Sequence, residues 1–317
     1  MNFDSVMCDW LTISHRFHFE HERGQVVNGG KIMRIDADGV IDWEQACWEN
    51  LRCPSSDTSL RIRCDGEKLQ MTGNIGRWMR DDNLQGLTVA QCVGLWRDFL
   101  AARGMLPPLF GTRRVYGDHG TSITRVDLAA NLWTDNFSAL TQSAMSQRIG
   151  QKPARAGKYG AMWGYEAKRG NWVKAKLYDK TCEMEGRRTP AAGATVARFE
   201  VQLGGEKLKR HGWDVVEKWE GESDMENVIY KEFADQVFRQ QAMAESWNDI
   251  PIRIRQYAVL WRDGQDVRGQ CSKTTFYRVR NQLLEHGLDI AQPCNIVSLT
   301  RRIVEVKVMP LQSRRAA

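Results

Sequence analysis

Between Ser59 and Gly73 the sequence SLRIRCDGEKLQMTG alternates apolar and polar residues on either side of Asp65-Gly66, a dipeptide suited to the type I′ turn of a two-residue hairpin. A β-hairpin is predicted. Thr88 then opens a stretch in which Val89, Cys92, Val93, Trp96, Phe99 and Leu100 recur at helical spacing before Gly104 and a proline pair, which predicts a capped amphipathic helix. Three further segments read as strands with one apolar and one polar face. In Ser122 to Trp133, Thr124, Val126, Leu128, Ala130 and Leu132 share one side, and Arg125, Asp127 and Asn131 the other. In Trp172 to Lys180, Val173, Ala175 and Leu177 oppose Lys174, Lys176, Tyr178 and Lys180. In Thr195 to Leu203, Ala197, Phe199, Val201 and Leu203 oppose Arg198, Glu200 and Gln202. If the three lie in one sheet over a common core, their polar side chains emerge on one surface.

Asp135 or Asn136 caps a helix predicted to run through Ile149, and the basic, glycine-rich GQKPARAGKYG that follows reads as mobile. Ser223 and Glu226 stand at capping-box spacing before a helix carrying Ile229, Phe233 and Val237. The alternation of hairpins and helices predicts an α+β fold, a largely antiparallel sheet with flanking helices. After Trp247-Asn248-Asp249 the pattern changes. A short helix around Ile252 to Trp261, the connection RDGQDVRGQ, and a helix KTTFYRVRNQLLEHG capped by Ser272, with Phe276, Val279, Leu283 and Leu284 inward, read as a small C-terminal helix-turn-helix-like region. The strand-like IVSLTRRIVEVKV would be its wing. The expected division is residues 1–247 for the main domain and 248–317 for the C-terminal region.

A chain of 317 residues buries a full core without disulfides or structural metals. Lys+Arg 45 against Asp+Glu 39 leaves +6, an excess that matters because it is concentrated on the second strand and the C-terminal helix. The eight cysteines show no metal-ligand spacing, and the chain opens without a signal peptide or any apolar run long enough to span a bilayer. The expectation is a soluble cytoplasmic protein with reduced thiols and no membrane partner. Most of the twelve tryptophans are assigned to packing, with some available to stack on unpaired bases.

Transfer of a phosphodiester needs a nucleophile, a counter-charge and a means of holding the phosphate in line. Tyr178 with lysines on its own face offers the first two, and Lys180 could lower the phenol pKa or neutralise developing charge. From this segment alone, a half-exposed tyrosine among solvated lysines is the commoner case. Asp127 and Glu200 sit mid-strand in RVD and RFE, as oxygen donors for a hard divalent cation would. Cross-strand salt bridges with Arg125 and Arg198 explain them more simply. His15, His18 and His21 have a spacing that fits a helical face or a loop rather than a strand-borne metal pair, and His119 is a weak third-ligand candidate. Nothing resembles a Ser-His-Asp triad, a phosphate-cradling glycine loop or a dinucleotide fingerprint.

Taken in order, CDGEKLQMTGNIGRWMRDDNLQG, TSITRVDLAANLW, KAKLYDKTCEME, VARFEVQLGGEKLKRHG and KTTFYRVRNQLLEHGLDI with CNIVSLTRRIVEVKV resemble the replication initiators of filamentous phages and related plasmids, the gene II and gene X proteins. The resemblance covers most of the chain from about Ser59. It implies a site-specific DNA nickase and strand transferase for rolling-circle replication, dependent on Mg2+ or Mn2+. By that resemblance Tyr178 attacks an origin phosphate to give a 5′-phosphotyrosyl enzyme and a free 3′-OH, and Glu183, in the same motif, helps to position metal or base. Asp127 and Glu200 become the metal candidates. Arg125, Lys174, Lys176 and Arg198 become DNA contacts. Origin DNA, duplex and single-stranded at the nick, is the implied partner; a host helicase and single-strand-binding protein are implied by the family only, and an oligomer on DNA is open. Tyr159 and Tyr165 are candidates for a second tyrosine.

Lys273, Arg278 and Arg280 on the C-terminal helix are placed for phosphate or base contacts, near Thr274, Thr275 and Tyr277. Packing of that helix on the catalytic domain is an equal alternative. The competing function is a non-catalytic DNA-binding regulator of replication or copy number, which would need the basic helix but not the three strand faces.

Overall fold

The computed structural model describes residues 6–17, 24–80, 84–105, 120–165, 172–185, 195–221, 224–238, 250–286, 288, 290–291 and 308–310. In chain order the elements are β1 (Met7–Arg16), β2 (Lys31–Ile35), β3 (Ile41–Ala46), β4 (Glu49–Arg52), β5 (Ser59–Cys64), β6 (Lys68–Gly73), α1 (Val89–Ala102), β7 (Gly120–Thr134), α2 (Phe137–Met145), β8 (Arg148–Ile149), β9 (Lys152–Gly157) and β10 (Gly160–Trp163). There follow β11 (Val173–Asp179), α3 (Lys180–Met184), β12 (Thr195–Gly204), α4 (Gly205–His211), α5 (Val216–Gly221), α6 (Met225–Phe238), α7 (Ile252–Arg262), α8 (Lys273–Glu285) and β13 (Val308–Pro310).

Among the described residues the main sheet has the order β4-β5-β6-β1-β7-β12-β11-β10-β9-β8, with β13 pairing β7. Its pairings are antiparallel. The three strands read from alternation are therefore neighbours, β7 beside β12 beside β11. Their apolar sides face one core with the buried faces of α1, α2, α5 and α6. The opposite face is left to polar side chains, the usual arrangement for an antiparallel sheet packed on one side. Register is held firmly: a one-residue slip of β12 would turn Phe199, Val201 and Leu203 outward and bury Arg198 and Glu200 among apolar residues. Each of those apolar side chains is worth about 1.5–3 kcal/mol of burial.

The hairpin β5–β6 is present, but its turn sits one residue further on. Asp65 pairs with Lys68 through a backbone hydrogen bond, so the loop is Gly66-Glu67. Gly66 alone of the two has positive φ, +97°, and type I′ would need it at both. Asp65 Oδ1 accepts from the Glu67 and Lys68 amides and fixes the turn. Thr88 and Gln91 form a complete capping box on α1.

Elsewhere the chain departs from expectation. The helix predicted through Ile149 ends at Met145, and GQKPARAGKYG forms β9 and the start of β10 instead of a mobile segment. Glu226 does not cap its own helix; its carboxylate accepts from the Val89 amide at 2.8 Å and caps α1, while Ser223 lies outside the described residues. His15 is on strand β1, buried, with Nδ1 2.8 Å from Thr121 Oγ1, whereas His18, His21 and His119 lie outside the described residues. So does most of the proposed wing. Its last residue, Val308, opens β13, which pairs β7 at Leu132–Thr134.

A second hydrophobic cluster forms between α7 and α8 from Ile254, Ala258, Trp261, Phe276, Val279 and Leu283, with Val267 from the connection. Ser272 caps α8, accepting from the Thr275 amide. A projecting arm, β2–β3, forms a separate two-stranded sheet and leaves Ile32, Ile35, Ile41 and Trp43 exposed.

Candidate active site on the polar face of the sheet

Strand register decides which side chains meet. Tyr178 stands opposite Arg198, Lys176 opposite Glu200, Gln202 opposite Asp127 and Arg198 opposite Asn131. A glycine admits the neighbouring strand: a Cβ at Gly160, opposite Tyr178, would lie 2.1 Å from the Leu177 carbonyl oxygen.

Tyr178 is only 8% exposed. Its Oη donates to Glu200 Oε1 at 2.5 Å, and Lys176 Nζ stands 2.6 Å from Glu200 Oε2 and 4.9 Å from the centre of the Tyr178 ring. Burial, and then the Glu200 charge, push the phenol pKa well above its ordinary value. The expectation that a lysine would lower it is not met, because the carboxylate that takes the hydrogen bond favours the protonated phenol. Glu200 is itself raised by burial and then by Asp9. Burial, the largest influence, would lower Lys176, but the charge and hydrogen bond of Glu200, with Tyr165 and Asp9, together outweigh it and the ammonium is raised.

Along β7, Arg125 grips Asp127 on its own strand, Nε at 2.8 Å and Nη2 at 2.6 Å. Burial still leaves the Asp127 carboxyl raised. Arg125 also stacks over Trp10 at 5.1 Å. Arg198 is fully buried; it donates to Asn131 Oδ1 at 2.7 Å and to Asp9 Oδ1 at 3.2 Å. The simpler reading of cross-strand bridges is thus half right in kind and wrong in partners: Arg125 bonds within its strand, and Arg198 reaches Asp9 and not Glu200.

Lys180 is not on the strand face at all. Asp179 accepts from the Cys182 amide and starts α3, so Lys180 opens a helix, where its Nζ meets Glu183 Oε2 at 2.5 Å. Burial, then Arg198, lower its pKa, and it remains 6.0 Å from the Tyr178 ring. Lys174 lies over Tyr165 at 5.2 Å. Tyr165, 41% exposed, interacts electrostatically with Lys176, Glu200, Asp127 and Arg125, and burial raises its phenol.

Two family models match, one for the N-terminal and one for the C-terminal part of the gene II replication-associated protein, over residues 7–239 and 251–316. The chain belongs to the gene II replication-associated protein family. The family and the replication role expected from the sequence are borne out. The gene II replication-associated protein of Enterobacteria phage I2-2 is 22% identical over 97% of this chain and 96% of its own length. A rolling circle replication initiator protein from Geobacillus stearothermophilus aligns over 90% of this chain and 98% of its own at 11% identity, with a TM-score of 0.31, too low to define a shared topology.

Within this gene II-family chain, periodicity missed one acid. Asp9 accepts from both Arg198 and Asn74, and its charge raises Asp127 and Glu200 alike. The register between β1 and β7 slips between Cys8 and Trp10, a bulge that re-aims one side chain. The signal was present: Cys8 is buried and Leu11, three residues on, is buried too, so alternation changes phase at Asp9-Trp10.

Asp9, Asp127 and Glu200 supply the oxygen donors that a hard divalent cation takes. The donor type suits such an ion, but Arg198, Arg125 and Lys176 already neutralise the three acids. Among the described residues no group of three His, Cys, Asp or Glu side chains is drawn together as a metal cage. The expected DNA contacts of α8 are elsewhere: Lys273 and Arg278 are exposed and Arg280 is half-buried, on the helix whose Phe276, Val279 and Leu283 build the second hydrophobic cluster.

Proposed function

We propose that this gene II-family protein initiates rolling-circle replication by nicking one DNA strand through Tyr178. The observation that carries the reading is a tyrosine hydroxyl hydrogen-bonded to a buried carboxylate whose other oxygen meets a lysine. Tyr178 Oη attacks the phosphorus of the scissile phosphodiester, and its proton passes to Glu200. The bond from phosphorus to the 3′ oxygen breaks, leaving a 5′-phosphotyrosyl link and, after the leaving oxygen takes a proton from water, a 3′-OH. Glu200, raised by burial, is suited to hold that proton. Lys176 and Arg125 supply positive charge beside the phosphate, with Lys174, Arg198, Lys180 and Glu183 as supports for that surface. A divalent cation such as Mg2+, held by Asp127 and Glu200, would polarise a phosphate oxygen. A second transfer from the tyrosyl link to a 3′-OH would circularise the displaced strand.

DNA is the partner; a host helicase and single-strand-binding protein would open and coat the displaced strand, in the cytoplasm of a bacterial host. Among the described residues no helix is long and apolar enough to cross a membrane. Residues 1–247 would nick, and the 248–317 region, through Lys273, Arg278 and Arg280, would hold duplex DNA. The test is mass spectrometry of the adduct formed on an origin oligonucleotide with Mg2+: a phosphotyrosyl link at Tyr178 is expected, and Tyr178→Phe should abolish it while DNA binding survives. An adduct persisting in that variant removes Tyr178 from the mechanism.

One observation favours a second reading, a non-catalytic DNA-binding regulator: the Tyr178 phenol is buried and held protonated. Alanine at Asp127 and Glu200 separates the two. A regulator keeps its full function, and a nickase loses cleavage.

A further inference from the structure

We infer that the polar face carries a second nucleic-acid subsite, a pocket for a backbone phosphate of the nicked strand remote from the scissile one. The inference rests on the nickase reading for the identity of the strand. The pocket, about 200 Å³, is lined by Arg16 and Ser14 of β1, Lys68 of β6, Ser122 and Thr124 of β7 and Lys209 of α4. Register sets Arg16 opposite Lys68 and Ser14 opposite Ser122. This is the face that carries Trp10 and Asp127, which are paired further along the same two strands.

Charge distinguishes the pocket from the site. Around Tyr178 and Glu200 the bases Arg125, Lys176, Lys180 and Arg198 each meet a carboxylate within 3.2 Å. The pocket has three cations and hydroxyls on its walls and, among the described residues, no acid in its lining. Among the described residues no carboxylate forms an ion pair with Arg16, Lys68 or Lys209. Three like charges around one concavity repel unless an anion sits among them. Arginine, lysine and serine are also the side chains that hold phosphate oxygens without reading sequence.

From Glu200, paired with Ala129, the pocket at Ser122 lies seven residues along β7, about 23 Å at the rise of a strand. That is about seven nucleotides at stacked spacing and fewer in an extended strand. A strand gripped there and at the scissile phosphate is held at two points, which fixes its direction over Tyr178.

The test uses the full chain and a 16-nucleotide oligo(dT), with binding followed by fluorescence anisotropy across salt concentrations. Replacing Arg16, Lys68 and Lys209 together with Gln should lower the slope of log K against log salt by about 0.7, the value for one phosphate contact on single strands, and weaken binding at least 10-fold at 0.1 M salt. Lys209→Glu, at an exposed helix position, should weaken binding by itself. A control lacking Lys218 and Lys231, on helices over the opposite face, keeps the wild-type slope. An unchanged slope in the triple variant overturns the subsite, as does equal loss in the control. Inorganic phosphate is the other arm: if it displaces oligo(dT) at low millimolar concentration, the pocket is a small-anion site and the strand assignment fails. Adduct formation at Tyr178 is scored separately, so a failed pocket leaves the nickase reading standing, and a missing adduct leaves the pocket standing.

Discussion

The polar face of the sheet and the exposed face of α8 both carry positive charge, in opposite surroundings. On the sheet, Arg198 and Glu200 are buried and bonded to partners across strands. On α8, Lys273 and Arg278 stand in solvent above a small separate core. Charges taken out of water must be paired, and once paired they hold geometry and shift proton affinities. Solvated charges do neither, but they release counterions from DNA. The comparison teaches that the buried, paired face is suited to chemistry and the solvated one to salt-sensitive grip, the division of labour that the proposed function requires.

The sharpest way to break that division is Glu200→Gln. Loss of the proton acceptor should cut the nicking rate about 10²- to 10⁴-fold, measured in single turnover at saturating DNA. In the wild type, nicking should rise with pH as Glu200 ionises, on a limb displaced above the usual carboxylate range because burial raises it; Glu200→Gln should lose that limb. If the rate is unaffected, the proton goes elsewhere.

Arg198→Met comes next. It leaves Asp9 and Asn131 without their buried partner, and stability should fall by about 3–5 kcal/mol, read from urea unfolding. A loss below 1 kcal/mol would mean that the face is less rigid than its packing implies.

On the other side of the comparison, Lys273→Ala with Arg278→Ala should leave adduct formation at saturating duplex unchanged. The salt slope of duplex binding should drop by about 1 per residue that touches a phosphate. A slope identical to wild type would make α8 a packing element.

The smallest effect on stability is expected at Asp127→Asn. Because the folded carboxyl is raised above its unfolded value, the folded state binds more protons in that window and stability declines as pH rises through it. The variant should show a shallower decline. A steeper one would reverse the sign assigned to burial.

Much of this arrangement was legible in the residues. Alternation placed β7, β11 and β12 and assigned the two faces of each, because an apolar side chain on the wrong face costs more than local propensity can repay. Thr88 and Ser272 announced their helices through side-chain oxygens that reach the first amides. What stayed hidden depended on partners far apart in sequence. The burial of Tyr178 is made by Glu200 and Lys176 closing over it, and periodicity gives a side, not a depth. Lys180 left the strand because Asp179 is a better helix cap than a strand residue. Asp9 escaped because counting in twos fails where a strand carries an extra residue.

That extra residue makes β1 a measuring device as well as a structural strand. Substitutions along it change what a side chain does, whereas a deletion between Cys8 and Leu11 would change which side chains face the acids at all. Among diverging relatives the strand should therefore drift freely in composition and hold its length, with insertions pushed out to the loops at either end.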